Sequence, residues 1–217
     1  LAAEAAAALV GHLAAHALSS RAVLDGTGLF AGRVGKAVAD PALTLVDDGG
    51  DPTGLPFPCD LAGFAKRRLA LVEAGVLSTP AVDDALAAAT GLPPTAHAAG
   101  ADEARPQHLF LAPGDAAPGA LLAAAGGGLW IGELFEPGPA HPGGGLRAIA
   151  RNVRRIAGGA LAAPLPDLVW EADLAALLAG PLLAGTDPLA LATPDGVGAW
   201  SSPSLALPPA GRFHPLP

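Results

Sequence analysis

The chain has a single cysteine, Cys59, and neither methionine nor tyrosine. One cysteine excludes an intramolecular disulfide and a thiolate metal cluster, and it fits a reducing compartment. Aromatics make up only 4% of the 217 residues, as six Phe and three Trp. The core must therefore be packed from Leu, Val and Ala. Charged residues are also scarce, at 15%, which is low for a fully solvated surface and leaves room for a face buried against a partner. Twelve Lys and Arg stand against twenty Asp and Glu, a net charge of −8. The densest basic stretches are Lys66, Arg67, Arg68 and Arg151, Arg154, Arg155. Neither supplies the concentrated positive field that nucleic-acid binding needs, so no nucleic-acid partner is expected. No apolar run reaches the length of a membrane span without an interrupting Gly, His or charge. Residues 1–11 carry Glu4 and no basic leader region, unlike a signal peptide. Cytoplasmic localisation, without a membrane partner, is the resulting expectation.

What is present is a succession of short elements. Residues 2–19, rich in Ala and Leu, predict a helix with Leu9 and Leu13 on one face. ALTLV at 42–46 reads as a strand, followed by a loop at 47–58 dense in Asp, Gly and Pro. FAKRRLALV at 64–72 reads as a strand, and EAGV turns into a returning strand at 76–77. Residues 80–90 form a short helix with Pro80, Asp83 and Asp84 near its start. Residues 92–107 read as a loop. QHLFLAP at 107–113 predicts a strand, 115–125 a helix, LWIGELF at 129–135 a strand and 137–145 a flexible loop. LRAIARNVRRIAGG at 146–159 fits strand or helix; the Gly pair and the following ALAAPLPDLVW favour strand, turn, strand. Residues 173–180 predict a helix. Pro and Gly are dense from 185 onward. The fold class is α+β: a meandering, largely antiparallel curved sheet with a few packed helices. The expected organisation is a domain over 1–184, including the leading helix, and a C-terminal extension over 185–217 packed on it.

Four segments in order carry a resemblance. ALTLVDDGG, then RRLALVEAGVL, then LFLAPGD, then GLWIGEL resemble segments of the C-terminal domain of the TldD/TldE family, whose TldE side is also called PmbA or "modulator of DNA gyrase". The opening EAAAALVGHLA is similar to the helix that leads into that domain, and the likeness covers about residues 4–180. The resemblance implies a two-subunit peptidase. TldD-like subunits carry zinc on a His-Glu helix. TldE-like subunits lack the site and pair with the metal-bearing subunit, and the complexes act on unfolded and leader peptides. This chain is closest to the TldE-like side. The implied partners are a TldD-like metallopeptidase subunit holding the zinc and a peptide substrate, with a homodimer as a further arrangement.

His12 and His16 lie four apart, a spacing that can place two imidazoles on one metal. A hydrolytic zinc also needs a third ligand and a base. The TldD-like pattern has Glu after its first His and its second His one position beyond His16; Leu13 and Ala17 occupy those places here. The pair therefore reads as surface or interface histidines, and no catalytic residue or metal is expected in this chain. The rival readings are an autonomous degenerate metallohydrolase using His12 and His16, and a peptide-binding scaffold with no peptidase link. Asp47, Asp48, Asp51 and Asp60 match no calcium-loop spacing. Cys59 as a nucleophile would need His97 or His108 beside it. Neither glycine run, 126–128 or 143–145, is followed by the Lys-Ser/Thr of a phosphate loop. For substrate binding the candidates are Arg67, Arg68, His108, Phe110, Trp130 and Glu133. An extended peptide would add to an open edge at 107–112 or 129–134.

Overall fold

The computed structural model describes residues 1–101, 103–141, 145–194 and 197–216. The chain opens with helices α1 (Ala3–His16) and α2 (Ser20–Leu24), then β1 (Leu45–Asp47), β2 (Leu69–Glu73) and β3 (Val76–Leu77). Helix α3 (Asp84–Thr90), β4 (Ala98–Gly100), β5 (Glu103–Ala104), β6 (His108–Leu111) and α4 (Pro118–Ala125) follow. Next come β7 (Gly127–Gly138), β8 (Leu146–Ala157), β9 (Ala160–Pro164), β10 (Leu168–Ala172) and α5 (Leu174–Ala179). The chain ends in β11 (Leu183–Ala184), β12 (Leu189–Ala192), β13 (Ala199–Ser202), β14 (Leu205–Ala206) and β15 (Arg212–Pro215). This is the expected α+β class.

Two sheets dominate. The first runs β12-β13-β6-β1-β2-β3, antiparallel except for the β13–β6 pair. The second runs β15-β10-β8-β7, with β9 also on β8. Helix α1 packs on β7 of the second sheet and on β13, β12 and β6 of the first. That position explains its composition. An amphipathic stripe suffices for a helix with one wet side, but here Ala5, Ala6, Ala7, Leu9, Val10, Leu13 and Ala14 are all buried. Small Ala side chains let both sheets approach the helix. At Gly11 the approach is closest: a Cβ there would overlap the Trp200 ring of β13.

Local signals set several boundaries. Ser19, Asp83 and Asp173 cap α2, α3 and α5 by accepting the backbone N–H of Ala22, Leu86 and Ala176. Gly91 ends α3 in the left-handed region at φ 75°. The ambiguous segment 146–159 contains strand β8, buried at alternate positions from Leu146 to Ala150 and then at Val153 and Ile156, with Asn152 at φ 50°.

Some expectations are corrected. Strand β2 starts at Leu69, not 64, because Asp60 closes a turn by accepting the N–H of Ala62 (3.0 Å) and Phe64 (2.8 Å). The 92–107 segment contains the β4–β5 ribbon. Strand β6 lies between β13 and β1, so 107–112 is no open edge. The 185–216 segment places β12 and β13 in the first sheet and β15 in the second. Residues 142–144 of the predicted 137–145 loop, and with them Gly143 and Gly144, fall outside the described residues, as do 102, 195, 196 and 217. No helix among the described residues is long and apolar enough to cross a membrane.

Candidate functional site

Two features stand out near the residues singled out by sequence. The first is a cleft of about 640 Å³ at the C-terminal end of α1. Its walls include His16, Arg21, Asp25, Glu103, Arg105 and His141. His16 is exposed there, whereas His12, one turn earlier, is 3% exposed. The two rings lie 4.6 Å apart between centroids. His12 Nε2 donates to the Gly145 carbonyl (3.1 Å), which leaves Nδ1 as the unprotonated nitrogen, buried without a hydrogen-bond partner. Burial, with the neighbouring His16, lowers the His12 pKa to about 4. Burial also lowers that of His16, with Glu103 opposing and Arg105 assisting.

The donor set does not fit a hydrolytic metal. Leu13 and Ala17, 1% and 2% exposed, are both part of the hydrophobic core. Among the described residues no group of three or more His, Cys, Asp or Glu is placed to hold a metal ion.

The second feature is a buried polar knot under the 48–66 segment. Asp47, at the end of β1, is fully buried. Its Oδ2 accepts the N–H of Gln107 and of His108, each at 2.8 Å. Its Oδ1 faces His97 Nε2 at 3.1 Å and Lys66 Nζ at 3.9 Å. Lys66 Nζ also donates to Gln107 Oε1 (3.3 Å) and to His108 Nδ1 (3.1 Å). His108 Nε2 donates to the Leu55 carbonyl (2.8 Å), and His97 Nδ1 to that of Thr95 (2.7 Å). Burial alone would raise the Asp47 carboxyl, but His97, Lys66 and the His108 N–H outweigh it and hold it below 3.8. Burial and the Lys66 ammonium lower His108, in keeping with a neutral ring that accepts at Nδ1 and donates at Nε2. The knot thus ties together β1, β6, Lys66, the 95–97 stretch and the loop at Leu55.

The six predicted substrate contacts are not gathered at one cavity. Arg67 and Arg68 are exposed but precede β2 rather than lying on it. His108 is fully buried in the knot and so out of direct reach of a bound peptide. Phe110 is half-buried on β6 beneath Gly54. Trp130 and Glu133 belong to the other sheet, half-buried on β7, with Glu133 at 4.0 Å from Arg151. None of the six lines the cleft. Strand β7 does lie at a sheet edge, although the Ile131 carbonyl already accepts the Ala2 N–H (2.9 Å). Cys59 is half-buried, while His108 has both ring nitrogens hydrogen-bonded within the knot and His97 holds Nδ1 on Thr95 with Nε2 turned towards Asp47.

Lys66, His97 and Gln107 were missed as site members. Lys66 reads in sequence as one of three consecutive basic residues, and only its inward direction separates it from Arg67 and Arg68. A strand end at Asp47 was the available signal for choosing it from the four aspartates.

Solved structures share this fold. A putative modulator of a DNA gyrase from Thermotoga maritima superposes with a TM-score of 0.79 at 23% identity, over 98% of this chain and 48% of that one. TldE from Thermococcus kodakarensis gives 0.80 at 18% identity, over 98% and 48%. A putative modulator of DNA gyrase from Bacteroides thetaiotaomicron gives 0.70 at 19% identity, over 96% and 44%. The chain therefore spans about half the length of the structures it matches. No curated protein matches it. Residues 1–208 match the PmbA/TldA metallopeptidase C-terminal domain, and the chain belongs to that family.

Proposed function

We propose that this chain is the non-catalytic, TldE-like part of a heteromeric peptidase in the cytoplasm. In this reading it holds unfolded or leader peptides for cleavage by a TldD-like subunit that carries the zinc. The observation behind it is the inward face of α1. The helix carries His12, but the positions that the metal-bearing pattern gives to Glu and to a second His hold Leu13 and Ala17, both packed in the core. Hydrolysis at a metal needs an open coordination position and a base for water, and α1 offers neither a carboxylate nor a second imidazole at those places. The position of β7 at the end of its sheet supports peptide holding, since edge N–H and C=O groups other than the Ile131 carbonyl can pair with an extended chain.

The test is co-purification with a TldD-like protein encoded in the same genome, with zinc counted per complex. A one-to-one complex with zinc only on the partner, and no peptidase activity from this chain alone, is the expected result. A chain that stays alone, carries stoichiometric zinc and shows chelator-sensitive activity would overturn the reading in favour of a hydrolase built on His12 and His16.

A further inference from the structure

The loop at 48–58 is held at its ends by backbone and in its middle by a side chain. The Phe57 N–H donates to the Gly49 carbonyl (2.9 Å), the Asp48 N–H to the His108 carbonyl (3.0 Å) and the Lys66 N–H to the Pro58 carbonyl (2.9 Å). Among the described residues, the hydrogen bond that reaches residues 50–56 from outside the loop is the one from His108 Nε2 to the Leu55 carbonyl (2.8 Å). The outer side of the loop is wet, with Leu55 44% exposed. Its inner side rests on strands β6 and β13: a Cβ added at Gly54 would stand 3.2 Å from the Phe110 ring and 3.4 Å from Ala199.

Two neighbours fix the state of the His108 ring. An ammonium only donates and a carbonyl only accepts. With Lys66 Nζ at 3.1 Å, Nδ1 must carry the lone pair, and Nε2, facing Leu55, carries the proton. The contact with Lys66 therefore exists for the neutral ring alone. A second proton would set a charged N–H against an ammonium across the same gap. The titratable groups facing the ring are Lys66, Asp47 and His97. Asp47 is the one carboxylate among them, and it already faces His97 (3.1 Å) and Lys66 (3.9 Å). In the loop, the Asp48 and Asp51 carboxylates accept the N–H of Gly50 and Thr53. The two sides of the ring differ in how far they can give. The Lys66 and Asp47 side chains are 1% and 0% exposed, whereas Leu55 lies in an exposed loop. Repulsion from Lys66 is relieved by movement of the ring towards the loop, and the loop is the part that yields.

We propose that residues 48–58 form an acid-released strap: a proton taken up from solvent on His108 Nδ1 lifts the loop from β6 and uncovers Phe110. The device goes beyond the peptidase reading and does not depend on it. Its pH window follows from the surroundings of the ring. Burial first, then the Lys66 ammonium, hold the His108 pKa below 6.5. The contribution of the neutral ring to the closed loop is complete above 6.5 and is lost as the pH falls through the lower, folded value.

The experiment is amide hydrogen exchange of the whole chain between about pH 8 and 5, the range in which histidine changes charge. Protection of each segment is expressed relative to the unfolded chain at the same pH. Protection of 50–57 is expected to fall in the acid part of the range by up to about tenfold per pH unit, the slope for uptake of a single proton, while β7 and β8 keep theirs. His108→Gln, whose amide can donate and accept but cannot titrate, is expected to keep the loop protected at every pH. A loop whose protection does not change with pH overturns the proposal. So does a loop that opens only together with β7 and β8, or a His108→Gln chain with the pH response of the parent. Should His108→Gln be open throughout, an NMR titration of the parent decides: the His108 ring must titrate with loop opening, and a ring that protonates while the loop stays protected overturns the proposal.

Discussion

Replacing Asp47 tests whether the buried knot is a structural anchor. Asp47→Ala leaves the Gln107 and His108 N–H groups, both at 2.8 Å in the parent, without an acceptor. A buried donor left unpaired costs about 1–3 kcal/mol. The same change removes the carboxylate 3.9 Å from the Lys66 ammonium, whose side chain is 1% exposed, and breaking such a buried pair costs roughly 3–5 kcal/mol. Together these exceed about 5 kcal/mol, the lower end of total domain stability, so Asp47→Ala is expected to be largely unfolded. The informative variants are therefore Asp47→Asn, which keeps an acceptor for the backbone, and Asp47→Asn combined with Lys66→Met, which also removes the buried ammonium. Urea unfolding gives the free energies. Asp47→Asn is expected to lose roughly 3 kcal/mol, and the double variant to regain at least about 1 kcal/mol of it. Parent-like stability in Asp47→Asn, or a double variant that loses the sum of the two single changes, would refute the reasoning.

Stability should fall with acid through His12. Its folded pKa, about 4, lies below the ordinary 6.5, so its contribution is complete above 6.5 and is lost as the pH drops towards 4. The interval corresponds to about 3 kcal/mol, and His12→Gln should flatten urea midpoints measured across that range. Asp47 acts in a lower window: its folded pKa lies below 3.8, so its contribution holds above that value and declines beneath it. Gly11→Ala drives a methyl into the Trp200 ring and should cost about 1–3 kcal/mol by overpacking, with a change in tryptophan emission; an unshifted melting curve contradicts the close approach. His108→Ala removes the donor that holds the Leu55 carbonyl, so limited proteolysis should cut the 48–58 loop faster than in the parent, and equal cutting rates argue against that tie.

Elements with strong local chemistry were legible in the sequence. Gly91 stops α3 as expected, although the helix starts at Asp84 rather than 80 because Asp83 caps it from outside; the Ala-rich opening gives α1, and the Gly158–Gly159 pair separates β8 from β9. What sequence did not reveal depends on tertiary direction. The PGD strand at 107–112 alternates like an edge strand, but β13 reaches it from almost a hundred residues later. The basic triplet at 66–68 conceals one buried cation and two exposed ones, because the Asp60 turn fixes which way each points. His97 sits in a stretch of Pro, Thr and Ala without periodicity, so nothing local marks it as a partner of Asp47. The histidine pair on α1 was expected at a surface or interface, which holds for His16 but not for His12, buried at 3% exposure against the Gly145 carbonyl from a distant segment.

The two-sheet clasp around α1 has a consequence for synthesis. Helix α1 leaves the ribosome well before β13 and β12, which cover part of its apolar surface and follow nearly two hundred residues later. The second sheet likewise receives β15 only at 212–215. With covering contacts this distant in sequence, native packing cannot proceed element by element from the N-terminus. During translation the Ala- and Leu-rich helix stays uncovered on that side, and such surface is prone to aggregate or recruit chaperones. Cooperative closure of both sheets waits for β12, β13 and β15, so a ribosome stalled before residue 199 should hold a nascent chain that is still protease-sensitive along α1.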